Sequence, residues 1–238
     1  MKLLAIDTAL EACSVAVMAG DGREPIVISE VIGRGHAERL FGMIEAAMAE
    51  GGFSFSELDR IAVTVGPGSF TGLRVGIAAA RGLALVVGCP VVGIGTLAVH
   101  AEAARGRAGP LPVLALLDAR RDEVFGQRFA AGGGPVGSPE VGPPAHFAAM
   151  VEAGDALAGS GADIVAAKLP AQFAAPVVHR LSAPDMQAFL RLAVNASPTG
   201  AAPRPLYLRP PDARPQTAKR IAKRPGRPEA GPGRKIWR

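Results

Sequence analysis

"VTVGPGSFTGLRVGIAAARGLAL", Val63–Leu85, packs five glycines and a proline around a strand-to-helix transition. Such a stretch has two physical uses. It can turn backbone N–H groups toward a phosphate, or it can let two backbones approach without a Cβ between them. A Walker loop ends in Gly-Lys-Ser/Thr, and this stretch has no lysine. A dinucleotide loop places a third glycine three residues after the second, where Thr71 stands here with Gly72 beside it, and it follows the first strand of its fold. The nucleotide signal is therefore weak. Along the helix, Gly72, Gly76, Ala79 and Ala80 recur at three- and four-residue spacing and form a smooth stripe. Each helix glycine costs about 1 kcal/mol relative to alanine, so the stripe implies close contact, within the core or with another chain.

Around this loop the pattern is α/β. "KLLAIDTA", "CSVAVMAG" and "EPIVISEVIG" read as three strands of an antiparallel meander. "HAERLFGMIEAAMAEGG" is an amphipathic helix with Leu40, Met43, Ile44 and Ala47 on one face, ended by Gly51 and Gly52. A buried strand at Arg60–Val65, a helix from about Thr71 to Val87, the strand "CPVVGIG" and the helix "TLAVHAEAA" follow. This order implies a mixed sheet. "RGRAGP" marks a boundary near residue 105. Beyond it, "LPVLALLDARRDEVFGQRFA" gives two strands about a charged turn, and "AAGGGPVGSPEVGPP" reads as loop. "DALAGSGADIV" gives a short strand with a glycine turn. "APDMQAFLRLAV" is a last amphipathic helix carrying Met186, Phe189, Leu190 and Ala193. The expected organisation is residues 1–105, a smaller α/β unit at 106–211, and a flexible tail at 212–238 rich in Pro, Gly and like charge.

The chain has 238 residues, 49% hydrophobic and 20% charged, enough for a sizeable core. Its net charge of +5 is a property of the tail, where 9 Lys/Arg face 2 Asp/Glu; residues 1–211 carry 17 against 19. The basic character therefore belongs to the tail and not to the folded part. In the tail, Lys219, Arg220, Lys223, Arg224 and Arg227 suit phosphates and Trp237 suits base stacking, as a tether for nucleic acid; a solvated extension without a role is the plainer reading. Two cysteines in apolar contexts, Cys13 and Cys89, fit a reduced, cytoplasmic compartment better than a disulfide framework. Asp7 and Glu11 interrupt any signal-peptide core. The uncharged run at 82–101 is broken by "GCPVVGIG", so no membrane span is expected.

Histidines 36, 100, 146 and 179 never pair at the spacing that puts two imidazoles on one metal, so no metal site is expected. Asp7, at the end of the first strand, is placed like the aspartate that serves magnesium and phosphate in actin-like and sugar-kinase-like ATPases. "TALEA" after it lacks the glycine that would admit a phosphate, and an aspartate capping a turn is the simpler role. Asp118 in "LLDARRDE" poses the same question in the second half, with Arg120 and Arg121 as partners.

"LLAIDTALEACSVAV", "GRGHAERLFGMIE", "VTVGPGSFTGLRVGIAAARGLA", "LLDARRDEVF" and "PLYLRPP" resemble, in order, the bacterial TsaB (YeaZ) family. "GPGSFTGLRVG" (with Gly66, Pro67, Gly68, Ser69 and Thr71) is specific to it and to its paralogue TsaD. The resemblance covers nearly all of residues 1–211. It implies an actin-like ATPase and sugar-kinase (RNase H-like) fold of two mixed-sheet subdomains with a degenerate nucleotide site at Asp7 and Asp118. It further implies a non-catalytic partner of TsaD, joined by the ATPase TsaE, in making N6-threonylcarbamoyladenosine beside the anticodon of tRNAs reading ANN codons. No cofactor of its own is implied, and a nucleotide at the TsaD junction stays open. TsaD carries paired metal-binding histidines on the matching helix; here His36 stands alone, with Leu40 four residues on. The older name of glycoprotease finds no nucleophile–base pair. An ATP-binding kinase-like protein or hydrolase of the same fold, and a direct tRNA-binding module, are the alternatives. The family places its first two helices against TsaD. The resemblance thus implies a partner face of His36, Leu40, Met43, Ile44, Ala47, Gly72, Gly76, Ala79, Ala80 and Leu83; an exposed stripe of this kind also favours a homodimer when the chain is alone, with the face it uses left open.

Overall fold

A computed structural model describes residues 1–170, 177–179, 183–198 and 200–209. The basic tail, from Lys219 to Trp237, and the side chain of His179 lie outside the described residues.

The first half runs β1 (Leu3–Asp7), β2 (Ala12–Met18), β3 (Ile26–Val31), α1 (His36–Gly51), β4 (Arg60–Gly66), α2 (Phe70–Val87), β5 (Val91–Gly95) and α3 (Thr96–Ala108). Its sheet has the order β3-β2-β1-β4-β5, with β1–β2 and β2–β3 antiparallel and β1–β4 and β4–β5 parallel. The second half repeats the plan: β6 (Val113–Arg120), β7 (Glu123–Phe129), β8 (Pro135–Gly142), α4 (Pro144–Met150), β9 (Ala156–Ala158), α5 (Ala162–Ala166), β10 (Val177–His179) and α6 (Met186–Asn195). The order β10-β9-β6-β7-β8 has the same antiparallel and parallel partners. Each half is thus three antiparallel strands followed by alternating helices and parallel strands. Two mixed sheets built this way are the α/β architecture expected of the actin-like and sugar-kinase group.

Alternation along each strand sends its side chains into two different cores. On one face of β1, Leu4 and Ile6 pack with Leu40, Ile44, Leu73, Ile77 and Ala80 of α1 and α2. On the other face, Leu3 and Ala5 meet Val99 and Ala103 of α3 and Met186, Phe189 and Leu190 of α6. In the second sheet Val113, Ala115 and Leu117 face Leu97, Ala101 and Ala104 of α3. Leu114, Leu116 and Leu157 face Phe147 of α4 and Val165 of α5. The molecule is therefore five layers, with α3 and α6 between the sheets.

This layering corrects the boundary placed near residue 105, which falls inside α3. That helix packs on both sheets, and α6, reckoned with the second unit, covers the first sheet. Two other readings also change. The stretch that reads as loop contains β8, whose prolines and glycines are tolerated because it lies at the sheet edge beside β7. A short helix, α4, was not foreseen. The helix α2 is long and apolar enough to cross a membrane (mean hydropathy 1.5). Its inner side is instead packed in the core beside α1 and β4.

Candidate functional site

The glycine-rich loop answers its question by contact. A Cβ at Gly68 would overlap the carbonyl oxygen of Ala9, and one at Gly72 the carbonyl oxygen of Thr8. One at Gly76 would overlap the Thr8 hydroxyl. The start of α2 therefore lies directly against the β1–β2 turn, and glycine is what lets it do so. The contact is hydrogen-bonded throughout. Ser69 N–H donates to Ala9 O (2.7 Å), and Thr8 Oγ1 donates to Gly72 O (2.7 Å). Ser69 Oγ caps the helix by accepting from Gly72 N–H (3.2 Å). Gly66 has φ 114° and is joined to Pro67 by a cis peptide, while Thr71 points to solvent.

The expected partner face is corrected by the same packing. His36, Leu40, Met43, Ile44, Ala47, Gly72, Gly76, Ala79 and Ala80 are all buried inside the chain, and Leu83 is half-buried. The amphipathic face of α1 and the small-residue stripe of α2 serve the chain's own sheet. His36 Nε2 sits 3.1 Å from the carbonyl oxygen of Leu10 and so braces the β1–β2 turn. What the two helices turn outward is a different set. Phe41 is 53% exposed, Leu85 85% and Val86 86%, and Ala78, Arg81 and Gly82 are exposed with them.

Asp7 and Asp118 end corresponding strands but differ in environment. Asp7 is fully buried. Its Oδ1 accepts from Thr64 Oγ1 (2.6 Å) and Ala9 N–H (3.3 Å), and its Oδ2 is buried without a hydrogen-bond partner. Burial pushes its carboxyl from 3.8 up to about 6, against the opposing pull of these two donors. It reaches no solvent, and its partners are Thr64 and the β1–β2 turn. Asp118 is open. Its N–H donates to Ser160 Oγ (3.0 Å), and its Oδ1 accepts from Arg120 N–H (2.7 Å). Arg120, Arg121 and Asp122 have φ of 61°, 57° and 58°. Left-handed residues at 121 and 122 fit a two-residue hairpin turn, and Arg120 lies at the register shift before it.

Between the two halves lies a cleft of about 670 Å³. Its walls are the β1–β2 turn (Ala9, Leu10, Glu11), the glycine loop (Pro67 to Phe70), the end of β6 (Asp118 to Arg120) and Ser160. Arg120 bridges the mouth, 2.8 Å from Glu11 Oε1 and 3.4 Å from Asp118 Oδ2. Leu206, Tyr207, Leu208 and Arg209 complete the lining. Thr64, Glu11 and Ser160 were not singled out as site residues from the sequence, and residues 206–209 entered only as part of the family motif "PLYLRPP". Each is ordinary in its local context and becomes part of a site only through the pairing of the halves.

The cleft has charge of both signs and aromatic rings (Phe70, Phe125, Tyr207), yet little reactive chemistry converges on it. Among the described residues, no three His, Cys, Asp or Glu side chains come together as metal ligands. Cys13 is buried, and its thiol is pushed up to about 11, chiefly by burial and then by the Asp7 and Glu30 carboxylates, which opposes a thiolate nucleophile.

Residues 26–178 match the family model described as TsaD, tRNA N6-adenosine threonylcarbamoyltransferase. A solved structure, YeaZ from Pseudomonas aeruginosa, superposes with a TM-score of 0.71 at 34% identity, covering 87% of this chain and 99% of that one. The chain belongs to the TsaB (YeaZ) family. A second Pseudomonas aeruginosa structure, of an uncharacterized protein with similarity to peptidase YeaZ, gives a TM-score of 0.74 at 36% identity, over 87% of this chain and 99% of its own. The tRNA threonylcarbamoyladenosine biosynthesis protein TsaB of Escherichia coli is 42% identical over 125 residues, 52% of this chain and 53% of that protein. The chain thus spans about half the length of that relative. An uncharacterized protein of Mycobacterium tuberculosis is 38% identical over 216 residues, 90% of this chain and 94% of that protein.

Proposed function

We propose that this chain is a non-catalytic partner of a TsaD-type transferase in forming N6-threonylcarbamoyladenosine on tRNA. In this reading it docks through the outward sides of α1 and α2, and TsaE joins the complex. The observation that carries the docking is the apolar end of α2, where Leu85 and Val86 stand almost wholly in solvent on an otherwise well-packed molecule. Phe41 adds a half-exposed aromatic ring on α1. Small neighbours, Ala78 and Gly82, leave room for a second helix to lie close. The same surface is where two copies would associate when no transferase is present.

The non-catalytic half of the reading is supported by Asp7. The carboxylate at that strand end is buried against Thr64 and does not line the cleft, which fits a chain that carries out no phosphoryl transfer. The chain would then act by holding and shaping the transferase, with no cofactor of its own.

The test is a threonylcarbamoylation assay on tRNA with TsaD, TsaE and the adenylate donor, with and without this chain, repeated with Leu85→Asp. Leu85 contributes little to the core, so the variant keeps its melting temperature. It weakens complex formation on gel filtration by roughly tenfold or more, as removal of a central interface anchor does. Modification that proceeds equally well without the chain, or ATP hydrolysis by the chain alone, overturns the reading.

A further inference from the structure

The segment 203–209 ties the two halves of the molecule together. It begins on the first half, where a Cβ at Gly93 of β5 would stand 3.3 Å from the Pro203 ring. It then extends the end of β4 by a backbone hydrogen bond from Leu206 N–H to Val65 O (2.7 Å). The fit is close, since a Cβ at Gly66 would lie 2.8 Å from Leu206 O. Tyr207 stacks on Phe70 at the start of α2, with centroids 4.8 Å apart, and its hydroxyl accepts from Arg74 Nε (3.0 Å). Two residues later the chain has crossed the cleft. Arg209 donates to the Glu123 carboxylate and to Ala119 O (3.1 Å) on the β6–β7 hairpin.

We infer that residues 203–209 are a releasable strap that sets the width of the interdomain cleft by anchoring Tyr207 to one wall and Arg209 to the other. The anchors differ in kind from the cores on either side. Tyr207 is 38% exposed, and the Arg209–Glu123 pair is partly exposed, so each contact is of the sort that opens locally without unfolding the molecule. Across the mouth, among the described residues, the Glu11–Arg120 pair is a further tie, with side chains 55% and 73% exposed that hold weakly, beside Leu10, which packs partly buried against the second core. The buried bond between the halves runs through α3, which packs on both sheets, with α6 beside it on the first. This arrangement is a hinge at the layer of α3 and α6 with a fastener at the cleft. Releasing the fastener lets the walls at Ala9–Glu11 and Asp118–Arg120 part. Because Tyr207 is held by Arg74 on α2, the state of the strap is also readable from the outer side of that helix.

The experiment uses the full chain with spin labels on Glu45→Cys, in α1, and Ser138→Cys, in β8, in a Cys89→Ser background. Distance distributions are recorded for the intact strap, for Tyr207→Ala and for Arg209→Met. The strap predicts that both variants broaden the distribution toward longer distances. It also predicts amide exchange at least ~10-fold faster at 9–11 and 160–161, while β1 and β6 keep their protection. Distributions and exchange that stay unchanged in both folded variants overturn it, leaving 203–209 as a passive cover. Should Tyr207→Ala lose its fold, Arg209→Met decides alone, since it cuts only the tie to the second sheet.

Discussion

Asp7 illustrates how one residue changes meaning with its surroundings. At the end of a first strand in this fold it reads as a phosphate-site aspartate, and the same sequence also allows a plain turn-capping role. The decision rests on Thr64, fifty-seven positions away, which donates to it in a dry pocket. A carboxyl held at about 6 when folded and near 3.8 when exposed binds more protons in the native state between those values. Stability from this group is therefore greatest below about pH 4 and falls as pH rises to about 6, staying at the lower level above. The gap corresponds to about 3 kcal/mol against the folded state at neutral pH. Asp7→Asn keeps the acceptor for Thr64 and removes the charge. We expect urea denaturation to show the variant more stable than the parent at pH 7.5 and to flatten the slope between pH 4 and 6. An undiminished slope in Asp7→Asn would assign that pH dependence to other groups.

At the scale of the element, α2 shows that glycines in one helix are there for opposite reasons. Gly72 and Gly76 face the β1–β2 turn with no room for a methyl group, whereas nothing lies within 4 Å of a Cβ at Gly82. Gly72→Ala should cost about 1–3 kcal/mol through overpacking against backbone that cannot yield. Gly82→Ala should gain about 0.5–1 kcal/mol through helix propensity. Thermal melts of the two variants check this, and shifts of the same sign would remove the distinction. The small-residue stripe was legible in the sequence as a sign of close approach. Which neighbour approached was not, because helical spacing gives the shared face but not its occupant. The face of α1 carrying Leu40 and Ile44 has the same history. Its apolar periodicity is what any core helix shows, and the structure assigns it to the first sheet.

For the whole molecule, the exchange of third helices matters most. The helix α3 runs on to the second sheet, and α6, the third helix of the second repeat, returns to cover the first. Phe189 on α6 is fully buried against that first sheet. Phe189→Ala should cost about 3–5 kcal/mol. Hydrogen exchange should rise first in β1, β2 and β5 although the substitution lies late in the chain. Loosening confined to β6, β7 and β9 would contradict the exchange. A helix shared between sheets also couples their stabilities, so one unfolding transition is expected of the intact chain.

Much of the fold was open to reading from the chain itself. Apolar runs gave the first-half strands and the β6–β7 pair, glycines gave the end of α1, and the motif "GPGSFTGLRVG" gave the family. The edge strand β8 was hidden by its prolines and glycines, which suit an edge but imitate a loop. The repeat of the two halves was hidden because matching elements share geometry, with few identical residues. The sequence determined the longer strands and helices and which of their faces are apolar, since local backbone preference and side-chain period act over a few residues. Only the tertiary structure decided that Asp7 is sealed, that the partner-like faces of α1 and α2 are the core, and that Arg209 reaches Glu123 across the cleft. Those outcomes depend on contacts between segments far apart in the chain, and no local pattern encodes the distance between them.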